Sequence, residues 1–258
     1  PKGIGHSRSP EFLFARVYVR RLHIKFRALL MENARVSYMD DGAEGESEVL
    51  HASIYQELRR RLFTGKITPG LGLSTRMLAA ELNVSQMPVR DALSRLSAEG
   101  AIEIRSKRRI QVPPMTAARF DDLLQCRLLL EPKAARAALP FIDAARLETL
   151  KKIDAQLDAA LTSGDVAAYM ENNFAFHFTM YRAAGRRTTT QLIETLWLQF
   201  GPYMRVVYGR VGTAILEDQH ALAIKAIEAR DADALERAIA SDIGDGMGLI
   251  GRNGLDPE

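Results

Sequence analysis

From residue 116 to the end of the chain, no stretch alternates apolar and polar residues as a half-buried strand must. Apolar residues recur instead at the helical period, over 116–138, 143–163, 166–184, 189–211, 213–229 and 232–250. Pro140, Gly164-Asp165, Gly185, Gly212 and Asp231 punctuate these segments. The pattern predicts an all-α antiparallel bundle of six helices, or seven if Gly201-Pro202 breaks the fourth. No repeat of 20–50 residues runs through the chain.

The preceding stretch is built differently. Val49, Ile54, Leu58 and Leu62 mark a helix over 48–65, with Arg59 and Arg60 on its polar face. Lys66-Ile67-Thr68-Pro69-Gly70 is a turn. Ser74 caps a second short helix, 75–82, with Leu78, Ala79 and Leu82 inward. After the tight turn Asn83-Val84, Ser85 caps a third, 86–99, with Pro88 in its first turn and Gly100 at its C-terminal cap. Ala101–Ile104 and Ile110–Val112 then alternate and are rich in β-branched residues, joined by the charged tip Arg105-Ser106-Lys107-Arg108-Arg109. Pro113-Pro114 makes a stiff linker. Three short helices and a basic hairpin spell a winged helix-turn-helix. The fold class expected is therefore mainly α: an N-terminal winged helix-turn-helix over 48–114 and a helical bundle over 115–258. Residues 1–47 are expected to form a disordered or weakly ordered extension, with Met31 and Met39 as candidate natural starts.

Charge separates the same regions. Residues 48–114 hold 11 Lys/Arg against 6 Asp/Glu, and residues 115–258 hold 16 against 20. A basic head on a mildly acidic body suits a nucleic-acid reader joined to a regulatory or assembly module. No apolar run approaches the roughly 18 uncharged residues of a membrane span, which excludes a membrane protein of that kind. The single cysteine, Cys126, rules out an internal disulfide framework and fits a reducing cytoplasm.

A recognition helix must present polar and cationic groups from its first turns to base edges, while the wing touches phosphate. Here those positions hold Ser85, Gln86, Met87 and Arg90, with Arg76 on the preceding helix and Arg105, Lys107, Arg108 and Arg109 on the wing. Residues 50–112 resemble the N-terminal domain of the GntR family of bacterial transcription regulators. The residues that carry the likeness are Pro69-Gly70, Leu73-Ser74, Leu78-Ala79, Leu82, Val84-Ser85, Pro88-Val89-Arg90, Ala92-Leu93, Leu96 and Gly100. The helical part resembles the FCD domain of the FadR-type subfamily. Its cues are Arg127 with Glu131, Phe176-His177 after Glu171-Asn172-Asn173, Ala183-Ala184-Gly185, Glu217 three before His220, Ala226-Ile227 and Asp231-Ala232.

The resemblance implies that Arg76 and Arg90 contact DNA. Arg90 can also pair bidentately with a guanine edge. Gln86 stands where the family usually has arginine, Met87 where it has threonine, and Arg109 where the wing tip has glycine. Glutamine can pair with adenine, so a different operator is implied. In the resembled subfamily an aspartate and three histidines hold a divalent metal inside the bundle. The matching positions here are Asn173, His177, His220 and Asp242. Two imidazoles and a carboxylate suit Zn, Ni or Mn, and a metal-free, hydrogen-bonded polar pocket is the alternative. Arg127, with Glu131 one turn on, is expected to point into the pocket and pair an anionic effector; Tyr203 and Arg205 are further pocket candidates.

The function expected is that of a cytoplasmic, homodimeric regulator, more often a repressor in this family. It would bind double-stranded operator DNA under control of a small carboxylate. A metal-dependent enzyme on the bundle is the competing class. Against it, no nucleophile motif, phosphate loop or diagnostic acid–base pair is present in the sequence. A DNA-binding dimer with a decayed pocket is the third reading.

Overall fold

A computed structural model describes residues 42–106, 109–211 and 218–253. Expectations for residues 1–41, for Lys107 and Arg108 of the wing, and for Glu217 and the start of the fifth bundle helix lie outside the described residues. The chain parts into two compact units, Pro1–Ser53 and Ile54–Glu258. Of the first, only the opening turns of helix α1 are described.

Among the described residues there are nine α-helices and one two-stranded sheet. Helix α1 spans Gly42–Phe63, beginning earlier than the expected 48. The acidic run that reads as disorder suits a helix N-terminus equally well. Helix α2, Thr75–Leu82, is capped by Ser74, whose side chain accepts from Met77 N at 3.2 Å. It ends on Asn83 at φ +55°, a left-handed position that asparagine tolerates. Helix α3, Gln86–Ala98, starts at Ser85, but that hydroxyl makes no cap bond and is left to other partners. Strands β1, Glu103–Ser106, and β2, Arg109–Gln111, pair antiparallel with Ile104 opposite Ile110. Leu73 also bridges to Ile110, through reciprocal backbone bonds of 2.7 and 3.1 Å. That contact ties the wing to the entrance of α2, and a lone bridging residue has no periodicity to announce it. Ile54, Leu58, Leu62, Leu78, Val89, Leu93, Leu96, Ile102 and Ile110 close the core beneath these elements.

The bundle consists of α4 (Ala117–Ala138), α5 (Ala144–Ser163), α6 (Val166–Tyr181), α7 (Arg187–Val211), α8 (Gln219–Glu228) and α9 (Ala232–Asn253). Thr116, Asp143, Asp165 and Asp218 cap four of them by accepting backbone N–H groups. Helix α4 packs on α9, α5 on α6, and α8 on α9. Helix α7 runs through Gly201 and Pro202, so among the described residues the bundle has six α-helices rather than seven. Gly201 has another purpose. A Cβ there would lie 2.9 Å from Leu62 O, so glycine lets α7 approach the end of α1 closely.

That approach is one part of a joint between the winged helix and the bundle within the unit Ile54–Glu258. Arg59 pairs with Glu194 at 2.6 Å. Glu171 receives Arg60 at 2.7 Å and Lys66 at 2.9 Å. Phe63 stacks on Phe174, centroids 4.4 Å apart. Arg119 donates to Gly100 O at 3.1 Å, and Gln199 to Glu99 O at 3.3 Å. Helices α6 and α7 therefore carry both the bundle's centre and its grip on the head.

Candidate functional site

Two surfaces gather the chemistry that the sequence singles out. The first is a concavity of about 850 Å³ between α2, α3 and the sheet, whose lining includes Arg76, Gln86, Arg90, Ser94 and Ile104. Val89, Ala92, Leu93 and Leu96 anchor α3 in the head's core, which leaves its opposite face outward. Ser85, Gln86, Met87 and Arg90 are all exposed on that face, as is Arg76 on α2. Met87 is 64% exposed, enough apolar surface to meet a thymine methyl. Arg76 and Arg90 make no ion pair among the described residues, so their charges remain available to a polyanion. On the wing, Arg109 is exposed, whereas Arg105 pairs with Glu103 at 3.0 Å. That pair is exposed and weak, so phosphate could displace it.

The second surface is enclosed. Asn173 and His177 lie one turn apart on α6 and both are buried. His220 enters from the first turn of α8 and Asp242 from α9. His177 Nε2 stands 3.2 Å from Asp242 Oδ2 and 3.3 Å from His220 Nε2; His220 Nε2 is 3.6 Å from Asp242 Oδ1. One donor atom from each of the three residues lies within 4.8 Å of the others. His177 is 1% and His220 8% exposed.

Electrostatics prepares these groups as donors. Burial pushes the His220 imidazole down to about 4, against the pull of Asp242, so its ring is neutral near neutral pH. Burial would raise Asp242, but the hydrogen bond from His177 and the charges of His177, His220 and Arg127 outweigh it and hold the carboxyl at about 2. Burial also keeps the Tyr169, Tyr181 and Tyr208 phenols well above their ordinary value, and hence protonated. An ionised carboxylate facing two ring nitrogens is satisfied by a ring proton, as in the hydrogen bond from His177, or by a cation that takes the proton's place. A divalent cation fits that demand, and the donor set matches a borderline or hard metal.

The structure puts the four expected effector residues in other roles. Arg127 is 3% exposed and its guanidinium is taken up by Glu131, with Nε to Oε1 at 2.6 Å and Nη2 to Oε2 at 3.3 Å. It also lies over the Phe200 ring, 3.7 Å from the centroid. An incoming anion would have to displace a buried carboxylate to reach it. Tyr203 donates to Pro113 O at 2.6 Å, and Arg205 reaches Thr64 O at 3.4 Å. Because α7 continues unbroken, these two side chains serve the joint with the winged helix.

Three further side chains, Tyr181, Trp197 and Asp154, join Glu131 and the histidines in the same region. Glu131 Oε2 accepts from Tyr181 OH at 2.9 Å and from Trp197 Nε1 at 3.0 Å. Tyr181 OH is also 3.0 Å from His177 Nδ1. Asp154 Oδ1 stands 3.8 Å from His220 Nδ1. Tyr181 follows His177 by four residues, a spacing that puts both on one helix face; nothing in the sequence points to Asp154 or to the indole of Trp197.

Comparison with known proteins covers both parts of the chain. Residues 50–112 match the family described as bacterial regulatory proteins, gntR family, and residues 122–245 match the FCD domain. The HTH-type transcriptional regulator McbR of Escherichia coli K12 is 26% identical over 203 residues, covering 76% of this chain and 92% of McbR. The gluconate operon transcriptional repressor of Bacillus subtilis 168 is 28% identical over 186 residues, covering 68% of this chain and 74% of the repressor. The solved structure of E. coli McbR/YncC superposes with a TM-score of 0.74 at 25% identity, covering 79% of this chain and 97% of that one. These relatives are transcription regulators, not enzymes, and no described helix here is long and apolar enough to cross a membrane. A DNA-reading head, a helical body and matching family signatures over both place this chain in the GntR family of transcriptional regulators, with an FCD domain as its C-terminal part.

Proposed function

We propose that this regulator is a cytoplasmic homodimeric repressor whose grip on operator DNA is set by a divalent metal and a small carboxylate in the bundle. The observation that carries the reading is the convergence of His177, His220 and Asp242 inside 4.8 Å. Asn173, on the same face of α6 as His177, adds a neutral oxygen donor within reach of that helix turn. Bound there, Zn, Ni or Mn would supply a Lewis-acidic centre with positions left for water or a carboxylate. An anionic ligand then needs no free arginine, which accommodates the commitment of Arg127 to Glu131. Because α6 and α7 also grip the head, a ligand that shifts them alters how two heads meet successive half-sites of a pseudo-palindrome.

Elemental analysis of purified protein after exposure to Zn, Ni and Mn tests the metal. His177→Ala and His220→Ala should each remove it, and Asn173→Asp should tighten it by adding a charged donor. An operator titration with and without chelator tests control. Unchanged operator affinity in all metal and carboxylate conditions would leave a DNA-binding dimer with a decayed pocket. Sedimentation showing a monomer at micromolar concentration would remove the dimer.

A further inference from the structure

We infer that Tyr181 and Glu131 are positioning residues for the metal-ligating nitrogen of His177, a reading that rests on the proposed metal site. Tyr181 carries a single hydroxyl proton and has two neighbours within hydrogen-bond reach, Glu131 Oε2 at 2.9 Å and His177 Nδ1 at 3.0 Å. Glu131 faces a guanidinium, an indole N–H and the phenol, three donors around one carboxylate. A carboxylate so surrounded only accepts, so the phenol donates to it. The phenol oxygen is then left as an acceptor, and His177 Nδ1 must carry the proton that completes the second bond. A metal entering the site would displace only the Nε2 proton that now bonds Asp242, which leaves the lone pair on the atom that faces His220 and Asp242.

The relay is sealed. Glu131 is 0%, Tyr181 1% and His177 1% exposed, so no solvent molecule substitutes for a lost member. Rotating the imidazole by half a turn would bring carbon against the phenol and forfeit the bond. Outer partners of this kind fix the ring and its tautomer and raise its basicity as a ligand. His220 is held more loosely: its Nδ1 faces Asp154 across 3.8 Å, beyond a hydrogen bond. His177 is thus the fixed ligand of the pair and His220 the adjustable one.

The test compares zinc affinity of full-length wild type, His177→Ala and Tyr181→Phe by competition with a chromophoric chelator. Tyr181→Phe keeps the ring and removes the hydroxyl, and with it both the acceptor for His177 and the donor to Glu131. It should weaken zinc by about 10- to 100-fold, the usual cost of losing an outer-shell partner. His177→Ala should abolish binding. A nitrogen-15 spectrum of the zinc-loaded wild type should show the His177 proton on Nδ1, in slow exchange with water; in Tyr181→Phe that proton should exchange faster. Equal affinity of Tyr181→Phe and wild type, with His177→Ala inactive, would overturn the relay and leave the metal site standing. A wild type that binds no Zn, Ni or Mn would remove the metal site and the relay together. Should Tyr181→Phe fail to fold, the wild-type spectrum decides alone: a proton on Nε2 with zinc on Nδ1 overturns the assignment.

Discussion

Arg90 and Arg127 are arginines on helices of one chain, and they live in opposite surroundings. Arg90 stands in solvent on α3, with no ion pair among the described residues. Arg127 is enclosed on α4, held by Glu131 and covered by Phe200. The difference follows from what each region meets. A head that binds a polyanion keeps its cations hydrated until the partner arrives, and the released counterions drive the binding. A bundle that keeps charge in its core must satisfy every donor and acceptor from within, since an unpaired buried charge is far costlier than an exposed one. Specificity in the head is thus written in single side chains, whereas in the bundle it is written in a connected network.

The largest expected effect tests that contrast on the network side. Glu131→Ala strips a partner from Arg127, Tyr181 and Trp197 at once. Breaking a buried pair by removing one member costs about 3–5 kcal/mol, so chemical denaturation should show a loss of that order. A loss under about 1 kcal/mol, the scale of an exposed pair, would mean that the network is not the bundle's connected core.

Arg90→Ala tests the other side. Stability should change by no more than about 0.5 kcal/mol, as for surface substitutions generally. Specific operator affinity should fall by about 1–3 kcal/mol, the worth of one good base contact. Arg109→Ala should instead weaken binding to all sequences alike and lower the salt slope by about one. If Arg90→Ala also lowered the melting temperature by many degrees, the head would be as interlocked as the bundle.

The contrast also explains what the sequence discloses. Helix periods, the cap at Ser74 and the wing's alternation are local signals, and the elements they announce are present among the described residues, although Ser85, which reads as a second cap, makes no cap bond. The exposed reading face is legible for the same reason: one residue on one helix face does one thing. The bundle site is only half legible. His177 and His220 are chemically conspicuous, Asp242 is marked only by the family resemblance, and the three do converge. Arg127 was expected to point at a ligand, because the spacing that lets Glu131 neutralise it is the same spacing an exposed pair would show. Tyr203 and Arg205 read as pocket candidates from their place after Gly201-Pro202, yet α7 runs through both residues and these side chains reach Pro113 O and Thr64 O. A close helix approach and a helix break both call for glycine, and only the position of Leu62 O tells them apart.

The smallest effect lies in the acid stability of the metal-free protein, where His220 and Asp154 oppose each other. His220 is held down to about 4, mainly by burial, so the unfolded chain takes up its proton first as pH falls. Its contribution to stability is present above its ordinary value of 6.5 and is lost as pH falls towards 4. Asp154 is raised to about 6, first by burial and then by Asp218 and Asp158. There the folded chain takes up the proton first, so its contribution is present below 3.8 and is lost as pH rises through 6. Between pH 4 and 6 the two slopes have opposite sign, and wild-type denaturation midpoints should be nearly level across that window. The two groups stand 3.8 Å apart, so removing either also takes a charged neighbour from the other. Asp154→Asn should expose a fall in stability from pH 6.5 to 4. His220→Gln should expose a rise over pH 6 to 4. Asp242, held at about 2, acts only below its ordinary 3.8, and Glu57 and Glu236, both lowered from 4.5, tilt the profile down only at the acid end of the window. A level profile in Asp154→Asn would show that His220 is solvated on protonation, and that the bundle's centre opens to water as freely as the head's reading face.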